Sequence, residues 1–163
     1  NDAEIETAKL IRAYEDKTPG EQVFVTKNRW TGKLGQWAIE RKLPMLTFVG
    51  TDHSYSTFDF TNPSGRLIYE AKTKNGNSPY SETFQFDVND QQYRNNHCHY
   101  YIGCYWQLSG HDLVIVGWIA KSAVERLGHF MKKDELFLGK YSVEVDRWDV
   151  DINKMNDIGS LPV

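Results

Sequence analysis

Cysteine is nearly missing: Cys98 and Cys104 are the only two among 163 residues. Two thiols cannot build the cross-linked framework of a small secreted domain, so a reducing cytoplasmic setting is expected. Proline is scarce, at five, and no Pro/Gly-rich stretch is long enough to link two domains. Long apolar runs are missing too. The longest, Leu113–Ala120, falls far short of the roughly 20 residues that cross a bilayer as a helix. The acidic, polar start Asn1-Asp2-Ala3-Glu4 does not read as a secretory leader, and a processed start is expected. A basic excess is also lacking: 19 Lys and Arg face 22 Asp and Glu, a net charge of -3. That balance counts against a surface built as one polyanion-binding face, while leaving room for local basic patches.

What is present reads as one α/β domain over 1–163, with a helical extension over 1–20 and an irregular tail over 136–163. The expected class is a mixed central β-sheet flanked by helices. Helices are predicted over 4–14, 31–43, 90–96 and 121–132. Thr31 would cap the second of these, and Pro44 would stop it. Strands are predicted over 45–49, 55–60, 67–73, 82–88, 99–107 and 112–119, with an extended segment over 22–26 and a possible strand over 142–145. Asn75-Gly76-Asn77-Ser78-Pro79 reads as a loop.

One pattern carries chemistry. Glu70-Ala71-Lys72 lies in a segment rich in aliphatic and aromatic residues, so Glu70 and Lys72 point to the same face of a strand. Asp59 stands eleven residues earlier, beyond the turn formers Thr61-Asn62-Pro63-Ser64-Gly65. A hairpin-like connection brings it near Glu70 and Lys72. Two carboxylates beside an ammonium can hold a divalent cation and position a water on a phosphodiester. An ammonium next to carboxylates stays protonated, so Lys72 is first an electrostatic partner and only second a general base.

Asp59 with Glu70-Ala71-Lys72 resembles the signature of the PD-(D/E)xK nucleases, the restriction-endonuclease-like superfamily. Thr31-Gly32-Lys33-Leu34-Gly35-Gln36-Trp37-Ala38 is similar to the small-residue helix that opens many of those domains. Gln91-Gln92 resembles a glutamine found beyond the lysine strand. The resemblance spans about Trp30 to Gly128 and implies a Mg²⁺-dependent deoxyribonuclease, with Mn²⁺ able to substitute. Endonuclease action is favoured over exonuclease action. It implies Asp59, Glu70 and the Ala71 carbonyl as metal ligands, and Asp59, Glu70, Lys72 and Gln91 as the catalytic set. DNA would be the partner, in a possible homodimer, and the source bacterial or a phage in a bacterial host. Many relatives carry Glu where this chain has Gln36. Glu40, at i+4 on the same helix, is the candidate to supply that charge to the metal. Gln36, Arg29, Lys33 and Thr73 are the candidate substrate contacts, with Trp30 beside Arg29. The alternative is a catalytically inactive nuclease-fold module that binds nucleic acid or a protein partner.

Two rival readings use other residues. His97-Cys98-His99 with Cys104 and His111 offers zinc-binding chemistry, yet its spacing lacks the usual paired-ligand pattern. His97 or His99 beside a phosphate is a second use. Tyr93, Tyr100, Tyr101, Tyr105 and Trp106 offer stacking surfaces for bases, although aromatics in central strands are usually core.

Overall fold

The computed structural model describes residues 30–49, 58–81, 83–107 and 112–163. The helix expected over 4–14 and the extended segment over 22–26 lie outside these residues.

Helix α1, Trp30–Lys42, lies within one residue of the expected 31–43, but Thr31 is buried inside its first turn and is not its N-cap. Thr31, Gly35, Ile39 and Leu43 recur every four residues and make its buried stripe. Gly35 lets the helix come close to the sheet. A Cβ there would lie 1.9 Å from Thr73 Oγ1 and 3.2 Å from Thr73 Cβ. Gly35→Ala is therefore expected to destabilise the fold by about 2 kcal/mol through overpacking, read by chemical denaturation. Gly32, whose added Cβ would meet nothing within 4 Å, is the control. Gly32→Ala should be neutral or stabilising by up to about 1 kcal/mol.

The helix packs on a five-stranded mixed sheet of order β1-β2-β3-β5-β6. Its strands are β1 Thr47–Phe48, β2 Phe60–Thr61, β3 Ile68–Gly76, β5 Tyr100–Gln107 and β6 Asp112–Ala120. β3 and β5 run parallel over eight paired positions, and the other neighbours are antiparallel. The loop expected at Asn75-Gly76 begins later, because β3 continues through Gly76 to keep its pairing with β5. Ile39, Leu43, Phe60, Tyr69, Ile102 and Cys104 form the core on the α1 side.

The other face is covered differently from the expectation. A second sheet, in the order β4-β10-β7, takes the place of a flanking helix. It is built from β4 Gln85–Asn89, β7 His129–Met131 and β10 Arg147–Asp151. Phe86, Val88 and Val150 from this sheet meet Tyr101, Ile119 and Cys98 in a second core. The helices on this side are short: α2 Asp90–Asn95 and α3 Val124–Leu127, the latter entered through a 3₁₀ turn at Lys121–Ala123. The helix expected over 121–132 stops at Gly128, where a Cβ would lie 2.7 Å from the Val124 carbonyl and 3.3 Å from the Asp149 carbonyl. Chain this close to β10 continues as strand β7.

The tail over 136–163 is structural, not irregular. β8 Leu136–Phe137 and β9 Tyr141–Ser142 form a hairpin, and β10 is the central strand of the second sheet. Further on, Asn156 bridges Trp118 on the β6 edge, and Tyr69 donates its hydroxyl to the Pro162 carbonyl at 2.6 Å.

Candidate active site

The site forms where β2 leaves β3. Phe60 pairs with Tyr69 and Thr61 with Ile68, so the next pair would be Asp59 with Glu70. Asp59 still donates its N–H to the Tyr69 carbonyl at 3.0 Å, and its own carbonyl accepts from Val49 at 2.9 Å. The ladder ends there. The Ala71 N–H, which has lost its backbone partner across the gap, is taken by Asp59 Oδ2 at 2.7 Å. A side chain thus replaces the missing strand, as a buried backbone donor requires. The Ala71 carbonyl lies on the same edge of β3 as its N–H and faces the same gap. Gln36 of α1 donates Nε2–H to Asp59 Oδ1 at 2.5 Å. Both oxygens of Asp59 are held.

Glu70 and Lys72 share a face of β3, as the period of two predicts. Lys72 Nζ lies 2.6 Å from Glu70 Oε1, and the two side chains are only 16% and 13% exposed. That burial sets the pair apart from surface ion pairs, whose worth is small. Lys72 also donates to Gln92 Oε1 at 2.9 Å. Gln92 reaches it because Asn89 caps α2 and accepts the Gln92 N–H at 3.1 Å. Position 92 is therefore fixed in the first turn. The catalytic candidate Gln91, one residue earlier, is turned to solvent. Gln92 replaces it as the residue in contact with Lys72. The cap Asn89, three residues ahead, was the signal that separates the two.

The electrostatics follow from this geometry. Burial first, and the charge of Glu70 second, push the Asp59 carboxyl from 3.8 up to about 7, against the lowering effects of the Ala71 N–H, Lys72 and Gln36. Burial pulls the Lys72 ammonium down, but Glu70, its hydrogen bond and Asp59 outweigh that and raise it overall. One carboxylate is thus poorly compensated, and a cation bound between the two carboxylates would relieve it.

The donor set suits a hard cation. Asp59, Glu70 and the Ala71 carbonyl offer oxygen only, the preference of Mg²⁺, which keeps several waters. Gln36 Oε1 is buried and has no hydrogen-bond partner among the described residues, leaving a further oxygen unused beside Asp59. No group of three or more His, Cys, Asp or Glu converges among the described residues, so a third carboxylate is not at hand. Glu40, expected to supply it, is exposed. Each step of four residues turns the side-chain direction by about 40° around a helix, so Glu40 has moved away from the face on which Gln36 meets Asp59.

The remaining candidates divide clearly. Arg29 lies outside the described residues, and of Lys33 only the backbone within α1 is described. Thr73 is packed under α1 against Gly35 and does not open toward a substrate. Its hydroxyl is buried without a partner among the described residues. Gln36 is engaged with Asp59. The zinc constellation does not assemble among the described residues. Cys98 and Cys104 are buried in the two cores on opposite faces of the sheet, while His97 and His99 are exposed. His111 is not among the described residues. Burial pushes both thiols up to about 12, so they are protonated. His99 uses Nδ1 to accept the Ile68 N–H at 3.1 Å. Tyr101, Tyr105 and Trp106 are core, as aromatics in a central strand should be.

No protein-family model matches the chain, and no curated protein matches it. Among the described residues no helix is long and apolar enough to cross a membrane.

Proposed function

We infer that this chain is a divalent-metal-dependent deoxyribonuclease of the restriction-endonuclease-like kind, cutting phosphodiester bonds with water as nucleophile. The observation that carries the reading is the convergence of Asp59, Glu70 and Lys72 at the split between β2 and β3. Asp59, Glu70 and the Ala71 carbonyl would hold the ion, with Mg²⁺ the natural occupant and Mn²⁺ a substitute. When bound, such an ion lowers the pKa of a coordinated water and offsets charge on the phosphate. Lys72 offers its ammonium to the phosphoryl oxygens, where negative charge grows in the transition state. Glu70 and Gln92 hold that ammonium in place from two sides. The Ala71 N–H and the Gln36 amide fix the orientation of Asp59, and an ion would bind through the lone pairs that these two donors leave free. No covalent intermediate forms, because no nucleophilic side chain takes part.

Gln36 favours a second reading, a nuclease-fold module that binds nucleic acid or a protein partner without cutting. Its amide donates to Asp59 and occupies an oxygen that an ion would need. The experiment that separates the two uses linear, circular, single-stranded and duplex DNA with Mg²⁺, Mn²⁺ or EDTA. Cleavage in either metal and none in EDTA is expected. Cleavage indifferent to EDTA would contradict the mechanism, and no cleavage of any substrate would favour the inert module.

Gln92 and Gln91 provide an internal control. Gln92→Ala should slow cleavage about tenfold, the usual effect of removing a group that orients a catalytic one. Gln91→Ala should change neither rate nor melting temperature, and single-turnover kinetics on both variants checks the contrast.

A further inference from the structure

Helix α2 brings Gln92 to the Lys72 ammonium, yet its own sequence does little to keep it in place. Six residues are too few for a helix to persist alone in water. None of the six is buried. The contacts that fix its first turn are polar instead. Asn89, the last residue of β4, caps the helix and accepts the Gln92 N–H at 3.1 Å. Three contacts then converge on Asp90. Its N–H donates to the Asp146 carbonyl at 2.9 Å, Oδ1 accepts the Trp148 indole N–H at 2.9 Å, and Oδ2 accepts from Arg94 at 2.7 Å.

These contacts differ in what they anchor. Arg94 belongs to α2 itself and its side chain is 63% exposed, so that ion pair fixes the helix to nothing else. Trp148 comes from β10, where it pairs with Val88 of β4 and Phe130 of β7. Its ring packs on the second core, 5.0 Å from Phe130 and 6.2 Å from Tyr93 of α2. The indole is therefore set by the sheet, and its single N–H can only donate. Asp90, with a side chain 13% exposed, is the acceptor that N–H reaches. Each residue turns a helix by about 100°, so the rotation of this one turn decides that Gln92 and not Gln91 faces Lys72. Glu70 alone would leave the ammonium free to swing about one contact. The second contact, from Gln92, gives it one position, which in-line attack on a phosphate requires.

We propose that Trp148 is a positioning residue for Lys72: its indole N–H, acting through Asp90, sets the rotation of α2 that keeps Gln92 Oε1 on the ammonium. The proposal rests on the reading of Lys72 as the group that meets the scissile phosphate.

Trp148→Phe tests it by removing the indole donor while keeping an aromatic ring in the core. Single-turnover cleavage in Mg²⁺ reads the chemistry. The ¹H–¹⁵N NMR signal of the Lys72 ammonium, assigned by its absence in Lys72→Met, reads the position of that group without substrate. Trp148→Phe should slow cleavage about fivefold, inside the roughly tenfold expected for Gln92→Ala, and both should broaden the ammonium signal. In the Gln92→Ala background Trp148→Phe should slow cleavage no further, because both act through one contact. Asp90→Ala should behave like Trp148→Phe. Asp90→Asn keeps an oxygen for the indole and should recover most of the rate and the signal. A Trp148→Phe protein with a lower melting temperature but a sharp ammonium signal would overturn the proposal. Equal slowing by Trp148→Phe with and without Gln92 would overturn it too. Should Trp148→Phe not fold, the contrast between Asp90→Ala and Asp90→Asn decides, and equal ammonium signals in those two would reject the role of the indole. A wild type that cleaves no DNA, with the signal lost in Trp148→Phe, would remove the nuclease reading and keep the positioning of Lys72.

Discussion

Lys72→Met is expected to lower metal-dependent cleavage by about 10²–10³, the usual cost of removing one preorganised group that meets transition-state charge. The methionine keeps the aliphatic stem of Lys72 and removes only the ammonium. Glu70, 13% exposed, would lose its ion-pair partner, and Gln92 Oε1 would lose its donor. A stability cost of about 1–3 kcal/mol should accompany the loss of activity. Single-turnover kinetics at saturating Mg²⁺ separates chemistry from affinity, and thermal unfolding reports the stability. A variant that cleaves at the wild-type rate would remove Lys72 from the mechanism. A variant that is inactive but as stable as wild type would show that the Glu70–Lys72 pair contributes little to folding.

Asp59→Asn is expected to have two opposite effects: loss of the metal response and gain of stability in EDTA. The Asp59 carboxyl in the folded protein, at about 7, stands above its ordinary value of 3.8, so the folded state holds that proton more tightly than the unfolded chain. Its contribution to stability is fully present below about pH 4 and is lost as pH rises through 7. Metal-free wild type should therefore lose stability between pH 4 and pH 8. The variant should lack this part of the slope and exceed wild type at pH 8 by on the order of 2 kcal/mol. Its amide can also answer the orphaned Gln36 Oε1 after Gln36 turns over, while its oxygen keeps the Ala71 N–H. Unfolding curves in EDTA across that pH range check the sign. A variant less stable than wild type at pH 8 would show that Asp59 is well compensated without an ion.

Much of this architecture is legible in the chain because local signals agree with the tertiary result. The alternation around Glu70-Ala71-Lys72 gives β3, and the run of helix-compatible residues stopped by Pro44 gives α1. The proximity of Asp59 to Glu70 follows from a connection dense in turn formers. Other features depend on information that periodicity does not carry. β10 reads Arg-Trp-Asp-Val-Asp, an alternating strand whose charged side resembles a surface loop. The pairing of Asp149 with Arg147, at 2.9 Å, with Lys74 as a further favourable charge, explains how that aspartate is buried. Helical propensity over 121–132 gives way to the close approach of Gly128 to β10. The distinction between Gln91 and Gln92 turns on a single cap, and the exposure of Glu40 on the drift of an i+4 row around α1. For Gly128 the deciding contact comes from a segment distant in sequence, and for Gln92 and Glu40 it comes from the rotation of a single helical turn.

The most direct test of the cation site is a calorimetric titration of Mn²⁺ into wild type and Asp59→Asn at pH 6 and pH 8. Binding by wild type should strengthen with pH and release a proton as Asp59 ionises, and it should vanish in the variant. Mn²⁺ binding of equal strength in both proteins, or none in wild type at pH 8, would contradict the assignment of Asp59 and Glu70 as the cation-binding pair.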